Sequence, residues 1–140
     1  MGLRRKGRII AFQALYYWDV SRPELPELLR FEWLDEADTH EDQARTFARL
    51  IVTGTLENVD EVDEAIRRQL QHWDFSRLSW VDRAILRMSA YELLFQRDVP
   101  ASVTIDEAIS IAKQFGAEDS FRFINGVLDA VRRERERSET

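Results

Sequence analysis

The sequence has 140 residues, of which 44% are hydrophobic, and a formal net charge of −6. This length and composition suit one folded domain with its own core rather than a disordered chain. The lack of cysteine excludes disulfides, cysteine-ligated zinc and thiol nucleophiles, and the negative charge argues against a general nucleic-acid binder.

Basic side chains are concentrated at the start of the chain. Residues 1–10 carry four cations and no acid, whereas residues 11–75 carry six basic and 15 acidic groups. The four cations are Arg4, Arg5, Lys6 and Arg8. No apolar run long enough for a signal peptide or a membrane span follows them. We therefore expect a soluble cytoplasmic protein, with no membrane partner, whose acidic body carries a flexible basic arm.

Every segment that is long enough to judge has the periodicity of a helix. The first predicted helix covers about residues 4–19. The second begins at Ser21, because Ser21-x-x-Glu24 fits a capping box with Pro23 in the first turn. This second helix ends near Leu34, and the acidic stretch DEADTHED follows it as a predicted loop.

The middle of the chain contains the longest apolar pattern. Over about residues 42–71 the spacing predicts either one long helix or two helices joined near 54–58. The stretch HWDFSRLS is predicted to be a connection, and another helix covers about residues 80–97.

Short local motifs bound the next predicted helix. Pro100 stops the preceding one, and Thr104-x-x-Glu107 fits a second capping box that would open the new helix. Phe115 and Gly116 then close it, with the glycine as C-cap.

The last segment poses a conflict between a turn and a helix. Asn125-Gly126 is typical of a tight turn, yet apolar residues continue at helical spacing on both sides of it. These residues are Phe121, Ile124, Val127, Leu128 and Val131. We therefore predict a helix through Asn125-Gly126, with Asp119 or Ser120 as its N-cap.

The complete pattern predicts an all-α protein. No window alternates with a period of two, so no strand is predicted. We expect about seven helices in a single domain over residues 1–140. Two packed helical subdomains would cover about residues 1–75 and 76–140.

The search for an active site finds none. His40 and His72 are far apart, with no carboxylate at metal-ligand spacing, and no phosphate loop or G-x-S-x-G motif is present. The acidic pairs Asp60-Glu61 and Asp63-Glu64 are interpreted as a solvated helix face rather than a carboxylate site. We therefore expect no enzyme activity, no catalytic residue, no metal and no cofactor.

The first helix is apolar almost all round. Leu15 lies on a stripe suited to the core, whereas Phe12 and Tyr16 lie about 90–120° away from it. Two interpretations remain open: full burial between two bundles, or a partner that binds the side with Phe12 and Tyr16. The two interpretations are compatible if the helix lies at the seam where the two bundles meet.

The last helix has an unusual outer face. Arg122, Gly126 and Arg133 project opposite the core, and Phe123 lies at the margin of that face. Glycine costs about 1 kcal/mol relative to alanine inside a helix. Either a neighbouring helix packs on Gly126, or an RNA base stacks on Phe123 with its phosphates near the arginines.

Four stretches of the sequence carry a resemblance to a known family. RRKGRIIAFQALYYWD, LSWVDRAILRMSAYEL, VPASVTIDEAISIAKQFGAEDS and FRFINGVLD together resemble the NusB family, in the family's order and over nearly the whole chain. The resemblance implies an all-α fold of two helical subdomains. It also implies a transcription antitermination factor that binds boxA-type RNA in ribosomal RNA transcripts as a heterodimer with NusE. NusA, NusG and RNA polymerase are implied as further partners in the complex.

The resemblance also implies roles for individual residues. Arg4, Arg5, Lys6 and Arg8 match the family's arginine-rich RNA-binding motif. Asp119 and Phe123 match the C-terminal part of its RNA surface, to which the projection of the last helix adds Arg122 and Gly126. Tyr16 and Asp82 match positions that contact NusE.

Three other interpretations are kept open beside this one. The chain could be a helical interaction module without specific RNA binding, or a homodimer that hides the basic start and the seam. NusB-like domains also precede RNA cytosine methyltransferases. The sequence ends at residue 140 with neither a cofactor-binding domain nor a cysteine nucleophile, so we expect no methyltransferase.

Overall fold

The computed structural model describes residues 2–34, 42–72 and 74–139. These residues form seven α-helices, a short 3-10 turn at Phe75–Arg77 and no strand, which confirms the predicted all-α class. The helices are α1 Leu3–Ser21, α2 Leu25–Leu29, α3 Asp42–Glu57, α4 Val59–Arg67, α5 Trp80–Phe95, α6 Ala101–Phe115 and α7 Ser120–Ser138. The predicted acidic loop, including His40, lies outside the described residues except for its last residue.

The boundary between α1 and α2 differs from the prediction. Ser21 is the last residue of α1 and does not cap α2, because Arg22 turns the chain in the left-handed conformation with φ 50°. Pro26 stands in the first turn of α2, and Phe31 adopts φ 58° soon after that helix ends. The predicted capping box and the predicted continuation to Leu34 are therefore wrong.

The segment from α3 to α4 is two helices, as one of the two alternatives predicted. They are joined at Asn58, whose side-chain Nδ2 donates a hydrogen bond to the Gly54 carbonyl at 2.8 Å. Gly54 also faces α5, where a Cβ would overlap the hydroxyl and ring of Tyr91. The glycine thus allows α3 and α5 to approach closely.

The ends of α5 and α6 show which caps form. Ser79 is the N-cap of α5, and its Oγ accepts a hydrogen bond from the Asp82 N–H at 3.1 Å. The predicted cap of α6 is wrong: this helix begins at Ala101, so Thr104 is a buried interior residue. Its predicted end at Phe115, with Gly116 as C-cap, is confirmed.

Helix α5 is the centre of the fold. It contacts α1, α3, α4, α6 and α7, and every residue from Arg83 to Leu93 is buried. Helix α7 runs unbroken through Asn125-Gly126, and Ile124 and Leu128 are completely buried. The prediction of a helix rather than a turn is thus confirmed. Within the described residues, no helix is both long and apolar enough to cross a membrane.

A buried ionic network ties α1 and α4 to α5. Arg87 binds both carboxylate oxygens of Asp63, at 2.9 and 3.1 Å, and lies 3.2 Å from Asp19 without hydrogen-bond alignment. Arg83 donates to Asp19 at 2.6 Å. The solvated-face interpretation is therefore wrong for Asp63, although Asp60 and the other acids of the two pairs are exposed.

Candidate nucleic-acid interface

The basic start of the chain is a helix and not a flexible arm. Helix α1 begins at Leu3, and the Lys6 N–H already donates to the Gly2 carbonyl at 3.0 Å. A helix directs successive side chains about 100° apart, so the four predicted phosphate-binding cations have different surroundings. They must therefore be judged one at a time.

Arg8 lies inside the protein. Its side chain is 3% exposed, and its Nε donates to both carboxylate oxygens of Glu92, at 3.1 and 3.2 Å. Burial raises the pKa of the Glu92 carboxyl, against the opposing effect of Arg8. Arg8 therefore joins α1 to α5 and has no surface from which to reach a phosphate in this conformation.

Arg5 is half-exposed and already has an anionic partner. Its Nε and Nη2 donate to the two oxygens of Glu107 at 2.9 and 3.2 Å, and Nη2 also reaches Ser110 at 3.4 Å. Arg4 is exposed, with its guanidinium 5.9 Å from the ring of Phe47, and Lys6 is half-buried. The surface charge of the motif is thus smaller than the sequence indicates.

The outer face of α7 matches its predicted composition. Arg122, Gly126 and Arg133 are all exposed. A Cβ at Gly126 would meet nothing within 4 Å among the described residues. The interpretation that a neighbouring helix packs on Gly126 is therefore wrong for the helices that the structure describes, and no described residue covers the bare backbone there.

Phe123 lies between two grooves. The first, of about 540 Å³, runs between the start of α5 and the start of α7. Besides Phe123 it is lined by Arg77, Ser79, Asp82, Glu118, Asp119 and Ser120, together with Leu78 and Ala117. We name it the acidic groove after its three carboxylates.

The second groove, of about 290 Å³, lies on the α4 side of Phe123. It is lined by Gln69, Leu70, Gln71, His72, Arg122, Gly126 and Val127, in addition to Phe123. We name it the amide groove after its two glutamines. Sequence reasoning missed Gln71 and His72 because nothing local brings the segment after α4 beside α7.

Asp119 precedes α7 but does not cap it through its side chain. The carboxylate makes no capping hydrogen bond and is 85% exposed, 4.0 Å from the Arg122 guanidinium. Ser120 is the first residue of α7, and its Oγ accepts from the Ala117 N–H at 3.1 Å, a donor that precedes the helix, so neither predicted side chain caps α7. Asp119 is thus held only weakly and lies at the edge of the acidic groove.

The two residues predicted to contact a protein partner lie at one end of α1 and α5. Tyr16 is 39% exposed, and the Oδ1 atom of Asp82 is buried without a hydrogen-bond donor among the described residues. The Asp19–Arg83 ion pair joins the two helices within one turn of both positions. Asp82 also lines the acidic groove with Asp119, a juxtaposition that the sequence did not reveal.

Helix α6 lies beside the first part of α1. Arg5 contacts Glu107, whereas Phe12 of the same helix contacts Phe115, with ring centroids 5.1 Å apart. These contacts indicate that α1 and α6 run side by side in the same direction. At 1.5 Å per residue, the two contacts are roughly 12 Å apart along α6.

The sequence matches the model of the NusB family over residues 5–133. The chain belongs to the NusB family. A NusB transcription antitermination protein from Treponema pallidum is 52% identical over 128 residues, which covers 91% of each chain. The resemblance seen in the sequence is thus confirmed.

Solved NusB structures share the whole fold. A structure of T. maritima NusB has a TM-score of 0.84 and 43% sequence identity, and the alignment covers 98% of this chain and 97% of that one. A complex described as antitermination factors NusB and NusE with dsRNA has a TM-score of 0.85 at 28% identity, covering 96% of this chain and 98% of that chain. These alignments cover nearly the whole of both chains.

Proposed function

We infer that this chain is a transcription antitermination factor that binds RNA together with a NusE protein. The observation that carries this inference is the outer face of α7, where Arg122 and Phe123 frame the bare backbone at Gly126. An aromatic ring beside an arginine and an open backbone is suited to an unpaired base and its phosphate. Membership of the NusB family supports the same function.

The RNA is proposed to be a boxA-type sequence in ribosomal RNA transcripts. Arg4 and Arg5 would attract phosphates at one end of the ligand, and Phe123 would contact bases at the other. Arg8 would act indirectly by fixing the helix that carries Arg4 and Arg5, because its own guanidinium is bound to Glu92. Lys6 remains a proposed contact.

The protein partner is proposed to bind beside the RNA. Tyr16 offers an exposed aromatic ring, and Asp82 offers a carboxylate oxygen that has no donor from the described residues. A basic side chain of NusE would satisfy Asp82 and add positive charge next to the RNA. The chain has a net charge of −6, so we expect weak RNA binding without the partner. NusA, NusG and RNA polymerase would join through the assembled complex.

Asp119 is proposed to restrain RNA affinity. Its exposed carboxylate lies 4.0 Å from the Arg122 guanidinium and offsets the positive charge there. Replacing it by Asn should increase the affinity for RNA a few fold at low salt, and this increase in affinity should become smaller as the salt concentration rises. Unchanged or weaker binding of Asp119→Asn would contradict this restraint.

A gel-shift experiment tests the function as a whole. The chain is mixed with a boxA RNA, a scrambled RNA or a duplex RNA, with and without NusE, across a salt series. We expect preference for boxA RNA, tighter binding with NusE, and a salt slope of about −0.7 per neutralised phosphate for single-stranded RNA. Equal affinity for boxA and scrambled RNA under all conditions would refute specific binding. Light scattering of the free chain tests the alternative that it forms a homodimer.

A further inference from the structure

The two grooves beside Phe123 differ in charge. The acidic groove holds Asp82, Glu118 and Asp119 against one arginine, Arg77. The amide groove is lined by no carboxylate and holds Arg122. A nucleotide carries a phosphate, which carboxylates repel and an arginine attracts. If a base stacks on Phe123, the amide groove is therefore the side on which its phosphate is tolerated.

The size and the lining of the amide groove suit a small planar group. Its volume of about 290 Å³ lies at the low end of small-molecule sites. Val127 and Leu70 supply apolar surface, and Phe123 supplies an aromatic ring. Gly126 leaves one wall without a side chain, so a ligand can approach the backbone of α7.

The polar groups of the amide groove can read a base edge. Gln71 and His72 are exposed, and each can both donate and accept hydrogen bonds. Gln69 is less available, because its amide already donates to Glu134. Amide and imidazole groups beside an aromatic ring match the way proteins bind splayed RNA bases.

We propose that the amide groove is a subsite for one unpaired RNA base, which stacks on Phe123 and is recognised by Gln71 and His72. Arg122 neutralises the adjoining phosphate, and the absence of a side chain at Gly126 leaves space for the base to enter the groove. This subsite rests on the proposed function, since it supposes that RNA binds at Phe123. It adds two specificity-determining residues that lie outside the basic start and outside α7.

The test compares RNA molecules that lack one base at a time. A boxA RNA series with a single abasic residue at each position is titrated against the chain with NusE present. Base stacking and hydrogen bonding together suggest that one position loses about thirtyfold in affinity with the unaltered chain. The doubly substituted variant Gln71→Ala/His72→Ala should bind intact boxA RNA about fivefold more weakly, because it loses the hydrogen bonds to the base edge and keeps the stacking on Phe123. With that variant, the abasic penalty at the same position should fall to about sixfold, the part that comes from stacking.

Controls separate this proposal from its alternatives. Gln114→Ala removes an exposed amide on α6 that lines neither groove, and it should leave the abasic profile unchanged. Both replaced residues are exposed, so thermal unfolding of the double variant should match that of the parent chain. A double variant that keeps the full abasic penalty would overturn the subsite while leaving specific RNA binding intact. Failure of the parent chain to prefer boxA RNA would refute the proposed function, and the subsite with it.

Discussion

Replacing Gly126 by Ala should stabilise the protein. The residue lies in the interior of α7, seven residues after Asp119, and a Cβ would enter open space. The substitution therefore changes only the helix propensity of the residue, and alanine is favoured over glycine in a helix interior by about 1 kcal/mol. For a domain of this size, that gain raises the midpoint of thermal unfolding by about 2–4 °C.

The assay is thermal and urea unfolding followed by far-UV circular dichroism, with Gly54→Ala as the matched control. At Gly54 the added Cβ would overlap the ring of Tyr91, so the same substitution should destabilise by about 1–3 kcal/mol. A lower midpoint for Gly126→Ala would refute the reasoning, because it would mean that something packs on the α7 backbone at that position.

RNA affinity gives a second readout of the same variant. If Gly126 admits RNA, a methyl group at the point of approach should weaken binding while stability rises. We expect a loss of about fivefold, equivalent to about 1 kcal/mol. Opposite movement of the two measurements would separate a binding role from a packing role, whereas unchanged affinity would argue that RNA does not approach there.

Three further predictions concern the buried charges. Arg8→Ala should lower the free energy of unfolding by about 3–5 kcal/mol in urea titrations, because Glu92 would remain buried without its partner, whereas Arg4→Ala should weaken RNA binding and leave stability unchanged. Asp63→Asn should lower the free energy of unfolding by several kcal/mol, because the buried Arg87 would lose its charged partner. The exposed Asp60→Asn should change it by less than about 0.5 kcal/mol. Equal effects of the two substitutions would contradict the buried Asp63–Arg87 pair. Burial raises the pKa of Glu92 in the folded state, so protonation favours folding. The parent chain should then lose stability relative to Glu92→Gln as pH rises above 4.5, the ordinary value of this carboxyl, and a parallel pH profile would refute this.

Long periodic patterns predicted the helices better than short motifs did. The apolar spacing of α7 outweighed Asn125-Gly126, because a turn would have exposed Leu128 and other apolar residues that the helix buries. The predicted capping boxes at Ser21 and Thr104 failed because two matching residues spaced three apart are compatible with other backbone conformations. At Ser21 the left-handed Arg22 follows, and at Thr104 the helix had already begun.

Features made by distant residues could not be predicted from the sequence. Asp63 resembles its exposed neighbours, and only the position of Arg87, on another helix, buries it. Arg8 resembles Arg4, and only Glu92 on α5 separates an interior cation from a surface one. The two grooves likewise arise because segments about 40 and 50 residues apart in the chain meet beside Phe123.

The ion pairs at the two ends of α1 also determine how this helix is rotated about its own axis. A helix that is apolar almost all round could bury its surface in several rotational settings of similar energy. Arg8 meets Glu92 near one end, and Asp19 meets Arg83 near the other. Any other rotation would separate both pairs and leave Glu92 and Arg83 on α5 without these partners, and each broken buried pair costs about 3–5 kcal/mol. The charged pairs therefore select one orientation of α1, and with it the direction in which Arg4 and Tyr16 face outward.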